Sequence, residues 1–162
     1  ETDDVSTFLG GAPDAVFGAL ERAFACAASS GEHLVMTILL SRGCPGETVC
    51  EPGPGARGNR EPTPTDASRI THHASLPHVS CQWSLYPLGV PTYMDVIYQE
   101  IKRTKAAGVF TRGQHFVSRL DGDLHTVLGA IRASFDAAYD SATHVVAHVT
   151  LSANSPSRRQ GG

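Results

Sequence analysis

No run of apolar residues in the 162-residue chain approaches the roughly 20 that a membrane-spanning helix needs. This absence argues against membrane insertion. Basic clusters are equally scarce. The formal net charge is -3 and the nearest thing to a cationic stripe is Arg158-Arg159 in a polar tail, so no nucleic-acid surface is expected. The chain opens Glu-Thr-Asp-Asp, the wrong sign for a targeting segment, and carries no initiator Met. It is therefore expected to be a fragment, a processed product or a trimmed chain, with the cytoplasm as the default compartment. Catalytic signatures are missing too: there is no GxSxG, HExxH or GxxxxGK[ST], and no GxGxxG after a strand. Gly10-Gly11 and the glycines at 53, 55 and 58 lack the strand-to-helix setting that a phosphate loop requires. Four cysteines are too few for a disulfide framework in a chain of this length. Cys26, inside an Ala-rich helical stretch, reads as a small core residue; Cys81 begins a strand; Cys44 and Cys50 flank a Pro/Gly turn and could pair under oxidation. His72, His73, His78 and Cys81 lie close together, but their spacing fits no familiar zinc pattern, so no metal ligand is assigned.

What the sequence does contain is a repeat. Val16-Phe17-Gly18-Ala19-Leu20 aligns with Val127-Leu128-Gly129-Ala130-Ile131, and the alignment continues without a gap. Phe24 meets Phe135, Ala27 meets Ala138, Ser30 meets Ser141, His33 meets His144, Ser41 meets Ser152 and Pro45 meets Pro156. Upstream, Val5-Ser6 matches Val117-Ser118 after one inserted residue. Each shared copy reads strand, helix, strand. In the second copy, 114–120 alternates and stops at the turn signal Asp121-Gly122-Asp123. Val127, Leu128, Ile131, Phe135 and Ala138 then recur at helical spacing, and 145–151 is rich in β-branched residues. The first copy repeats this with Val16, Leu20 and Phe24 on a helix that Pro13 opens, followed by a strand over 34–40.

The second copy has more in front of it. CQWSLYPL (81–88) reads as a strand, and Thr92 caps a helix from 93 to about 107, with Met94, Ile97, Ile101 and Lys105 along one side. Gly108 ends it and 109–111 begins another strand. The full unit is then βαββαβ, the ferredoxin-like order. The expected organisation is α+β: a partial first ferredoxin-like repeat at 1–45 that lacks its opening β-α-β portion, a Pro/Gly-rich linker at 46–78, a complete second repeat at 79–157 and a polar tail at 158–162.

SLYPL (84–88), VSRLDGD (117–123), HVVAHVTLSANSPS (144–157) and HLVMTILLSRGCPG (33–46) resemble the YkoF family of thiamine- and hydroxymethylpyrimidine-binding proteins. The resemblance implies two tandem ferredoxin-like repeats, a ligand pocket in each and a homodimer. It also implies binding without catalysis, in uptake or trafficking of thiamine precursors, with a functional link to a thiamine-precursor transporter. No cofactor beyond the bound ligand is implied.

Thiamine presents an aminopyrimidine, a cationic thiazolium and a hydroxyethyl arm. A pocket for it needs an aromatic or thioether surface, short hydrogen-bonding side chains and preferably a carboxylate near the cation. In the second unit these are Tyr86 and Met94; Ser84, Gln114, His115, Ser152, Asn154 and Ser155; and Asp121. Period-two alternation puts Ser84 and Tyr86 on one face of their strand. Trp83 suits the core better than a stacking platform, and His33 and His144, each just before a strand, suit structural hydrogen bonds. The competing readings are a ferredoxin-like regulatory or structural dimerisation module without this ligand and, behind it, an enzyme or a zinc-binding protein.

Overall fold

The computed structural model describes residues 1–44 and 76–157. Most of the expected linker, with Cys50, His72 and His73, and the tail at 158–162 lie outside the described residues. Chain order gives α1 (Pro13–Ala28), β1 (Leu34–Arg42), β2 (His78–Leu88), α2 (Tyr93–Ala106), β3 (Phe110–Gln114), β4 (Val117–Asp123), α3 (Leu124–Tyr139) and β5 (His144–Ala153). The protein is α+β. Among the described residues one five-stranded sheet runs β1-β5-β2-β4-β3, with every neighbouring pair antiparallel. No described helix is long and apolar enough to cross a membrane.

Alternation decides which side of the sheet is covered. Val79, Cys81, Trp83 and Leu85 of β2, and Val145, Ala147, Val149, Leu151 and Ala153 of β5, are buried. They meet Phe17, Leu20 and Phe24 of α1 and Val127, Leu128, Ile131 and Phe135 of α3 in a single core. The helices form one layer and the sheet the other. The opposite face of the sheet carries Ser80, Gln82, Ser84 and Tyr86 from β2 and has no helix over it among the described residues.

The two sequence-equivalent strands, β1 and β5, lie side by side. Their register centres on Ile38 opposite Val149, which are themselves equivalent positions in the gap-free alignment. Equivalent residues consequently make reciprocal contacts. His33 Nε2 lies 3.1 Å from Ser152 Oγ, and His144 Nε2 lies 3.2 Å from Ser41 Oγ. On the helices, Asp14 pairs with Arg132 and Glu21 with His125 at 3.0 Å, again an exchange of equivalent positions. This is the pattern a local two-fold axis through the Ile38–Val149 pair produces.

Four local expectations change. Residues 1–12 do not supply the strand matched to β4: Asp3 Oδ1 accepts from Val5 N and Ser6 N, turning the chain back into a lone Thr2–Thr7 bridge. Without neighbouring strands, local hydrogen bonds satisfy this backbone instead of a ladder. Cys26 is exposed, because it falls outside the Phe17–Leu20–Phe24–Ala28 stripe that α1 buries. α2 buries Val96, Glu100 and Thr104, leaving Met94 and Lys105 exposed. Arg103 Nε donates to Glu100 Oε2 at 2.7 Å and the Thr104 hydroxyl donates to the Ile101 carbonyl, which satisfies two polar groups on the inward face. Finally, Asp121-Gly122-Asp123 is not a turn. β4 runs through it, and Asp123 is the N-cap of α3, accepting from Thr126 N at 2.9 Å.

Candidate functional site

The uncovered sheet face gathers most of the polar side chains singled out in the sequence. Its cross-strand rows follow from the registers. At one end, Ser152, Ser80 and Asp121 line up across β5, β2 and β4. Next come Thr150, Gln82 and Arg119, with Arg112 of β3 opposite Arg119. Beyond them His148 lies opposite Ser84, Gln114 opposite Val117, and Tyr86 opposite Val146.

The nine expected ligand residues therefore divide between two ends of the sheet. Ser84 and Tyr86 stand at one end, beside the β3–β4 turn that holds Gln114 and His115; Met94, exposed, opens the helix that follows β2 at that end. Ser84 Oγ donates to the Phe116 carbonyl at 3.0 Å, which ties the turn to the middle of the sheet. His115 holds a left-handed φ of 53°, uncommon for a residue with a Cβ, so the turn is locally strained. Tyr86 is 45% exposed and Phe116 is 94% exposed, so two aromatic rings face solvent around this turn.

Asp121, Ser152, Asn154 and Ser155 lie at the other end. Asp121 is the centre of an ordered network. Arg119 donates to it from both Nε and Nη2 at 2.9 Å, while Ser80 Oγ and Thr111 Oγ1 each donate at 2.8 Å. Partial burial works to raise the Asp121 pKa, but these hydrogen bonds and the Arg119 charge outweigh it and bring it to about 2. With four donors on its two oxygens, this carboxylate orients Arg119; it is not a free counter-ion for a cationic ligand. Ser152 is engaged with His33. Asn154, at φ 56°, donates its amide to the carbonyls of Ala28 and Glu32, both at 3.0 Å, and so fastens the end of β5 to the segment between α1 and β1. Its equivalent in the first copy is Gly43, φ 78°, where a Cβ would lie 2.1 Å from the Thr143 carbonyl oxygen. There the Tyr139 ring and the Thr143 backbone close the space that the Asn154 side chain fills in the second copy.

Trp83 is buried on the helix side of β2, where its neighbours are core. Burial also pushes the Cys81 thiol up to about 12, which keeps it protonated and unreactive at neutral pH. Among the described residues no group of three His, Cys, Asp or Glu side chains could hold a metal ion. Sequence reasoning missed Gln82, Arg119, His148 and Phe116. Strand alternation could have found the first three, since each falls at the same parity as a neighbour already placed on the open face. Phe116 had no such signal, because the turn that exposes it was read as strand.

The fold and this face define an α+β protein with one sheet side buried under helices and the other presenting a mixed polar and aromatic surface. The family model described as the YKOF-related family matches residues 1–47 and 78–158. A protein of Bacillus subtilis (strain 168) named "Putative HMP/thiamine-binding protein YkoF" is 40% identical over 159 residues, which is 98% of this chain and 76% of that protein. The chain belongs to the YkoF-related family.

Proposed function

We propose that this protein binds thiamine or its hydroxymethylpyrimidine moiety and releases it unchanged. The observation that carries this reading is the 40% identity, along nearly the whole chain, to a relative named for HMP/thiamine binding. The site is the Tyr86 end of the open sheet face. Tyr86 gives a flat ring for the pyrimidine, and Gln114 and His115 supply amide and imidazole partners for its ring nitrogens and amino group. Ser84 adds acceptor lone pairs while its own proton stays on the Phe116 carbonyl, and Met94 adds adaptable apolar contact. The other expected residues, Asp121, Ser152, Asn154 and Ser155, support the frame from the far end.

In this reading the architecture is a duplicated ferredoxin-like unit. The β5-β2-β4-β3 strand order with βαββαβ element order supports it, as do the reciprocal contacts across β1 and β5. Among the described residues β2 is the strand that carries Tyr86, and the proposed site is built on it. A cytoplasmic location, a homodimer and service to uptake or trafficking of thiamine precursors complete the proposal. The test is to incubate the purified chain with thiamine and with hydroxymethylpyrimidine, measure binding by calorimetry, and recover the ligand for mass spectrometry. Binding with the ligand recovered intact supports the proposal; a changed ligand mass would mean an enzyme.

One observation favours a second reading, a dimerisation module. Leu39 is 71% exposed and Val35 53% exposed on the same uncovered face, where another sheet could pack. Oligomerisation unaffected by any pyrimidine, with no calorimetric heat, would favour that module.

A further inference from the structure

Two arginines face each other across β3 and β4, at the β3 edge of the open face. Arg112 is the register partner of Arg119, and like charges directly opposite on one sheet face repel. The register shifts between Phe110 and Arg112, so the strand carries one extra residue there. Thr111 reaches Asp121 on the open face and Arg112 stands opposite Arg119, so this bulge brings two consecutive side chains to one side. Bulges commonly re-aim side chains next to binding sites.

The two guanidinium groups are not equivalent. Arg119 is held through Nε and Nη2 by Asp121, which leaves its Nη1 edge for another acceptor. Arg112 makes a single long contact, 3.5 Å to Gln114 Oε1, too long to be a strong bond. Gln82 lies beside Arg119 on the neighbouring strand. One oriented guanidinium, one loosely held guanidinium and an amide on one face match an oxyanion whose several oxygens accept planar, forked donors.

We propose that Arg112 and Arg119 form a subsite for a phosphate group. It rests on the ligand-binding reading above for the source of that phosphate, a phosphate ester of the same pyrimidine ligand. Two residues along a strand span about 7 Å and neighbouring strands lie about 5 Å apart, so Gln114 and Ser84 are within the length of one small phosphorylated molecule from the arginine pair. Ionised Asp121 leaves the three-residue group with a net charge of one positive unit, which favours a phosphate ester over a neutral alcohol.

The test compares thiamine, thiamine monophosphate and inorganic phosphate by calorimetry at low salt, on the wild type and on Arg112→Gln. The wild type should bind the monophosphate about ten-fold more tightly than thiamine, the scale of a hydrogen-bonded charge pair. Arg112→Gln should erase that advantage while thiamine affinity stays the same. Equal affinity for both compounds in the wild type, or an advantage that survives Arg112→Gln, would overturn the subsite. Inorganic phosphate that binds the wild type and not the variant, with neither thiamine compound binding better than phosphate alone, would keep the subsite and defeat the pyrimidine reading.

Discussion

Replacing Asn154 with Ala removes two things at once. The Asn154 amide donates to the carbonyls of Ala28 and Glu32, each at 3.0 Å, and its backbone sits at φ 56°. Net hydrogen bonds contribute about 0.5–1.5 kcal/mol each; at this partly exposed location the low end of that range applies, about 0.5–0.75 kcal/mol each and so about 1–1.5 kcal/mol for the pair. Asn tolerates the left-handed region better than Ala does, and that difference adds about 1 kcal/mol. Asn154→Ala should therefore destabilise by about 2–2.5 kcal/mol. Asn154→Gly keeps the backbone conformation and loses only the hydrogen bonds, so it should cost less, about 1–1.5 kcal/mol. Urea unfolding followed by circular dichroism reads both, since the Ala variant should shift the midpoint by about 1 M at an ordinary denaturant slope. Thiamine affinity of the folded variants should stay at the wild-type value, because the amide faces the α1–β1 segment and not the Tyr86 end. An Ala variant within about 0.5 kcal/mol of wild type, or a Gly variant as unstable as Ala, would refute the clamp and the backbone argument respectively.

Other consequences are smaller in scope. Ser134 Oγ is buried with no hydrogen-bond partner among the described residues, in the middle of α3; Ser134→Ala should stabilise by about 1 kcal/mol in thermal unfolding, from relief of desolvation and better helix propensity, and a loss of stability would reveal a partner for that hydroxyl. The pKa of Asp121 is lowered from 3.8 to about 2, so its contribution is complete above about pH 4 and disappears as pH falls toward 2. That shift corresponds to about 2 kcal/mol, discounted to about 1 kcal/mol because the group is partly exposed and screened; Asp121→Asn should remove this amount at pH 7 and flatten acid unfolding in that window, and an unchanged acid limb would count against the network. Phe116 is 94% exposed, so Phe116→Ala should leave the melting temperature unchanged; a drop of several degrees would show that the ring packs on something.

Much of the fold was legible because its determinants are local. Pro13 marks the start of α1, Gly108 with φ 75° directly follows the C-cap Ala107 of α2, and β-branched alternation picks out β5. β2 begins at His78, three residues ahead of the expected strand start at Cys81. The inward stripe of α2 was not legible, because Glu100 and Thr104 are polar and only their hydrogen bonds make burial tolerable. Asp123 looks like a turn residue for the same chemical reason that it makes a good N-cap. The composition of the open face was legible in part. Alternation correctly joins Ser84 with Tyr86, but the set spanning Ser84 to Ser155 divides, because both ends of β2 and β5 carry polar side chains and only the sheet registers show how far apart they lie. Asn154 is the clearest case: as a residue type it suits a ligand pocket, and only the approach of Ala28 and Glu32 reveals its structural task.

The most direct test of the central claim is calorimetric titration of the wild type and of Tyr86→Ala with thiamine, with unfolding curves to show that both are folded. The account predicts saturable binding near one ligand per chain in the wild type and at least about ten-fold weaker binding in the variant, at equal stability, the scale of losing one buried aromatic contact. No heat in the folded wild type would contradict ligand binding, and undiminished affinity in Tyr86→Ala would contradict the assignment of the site to this end of the sheet.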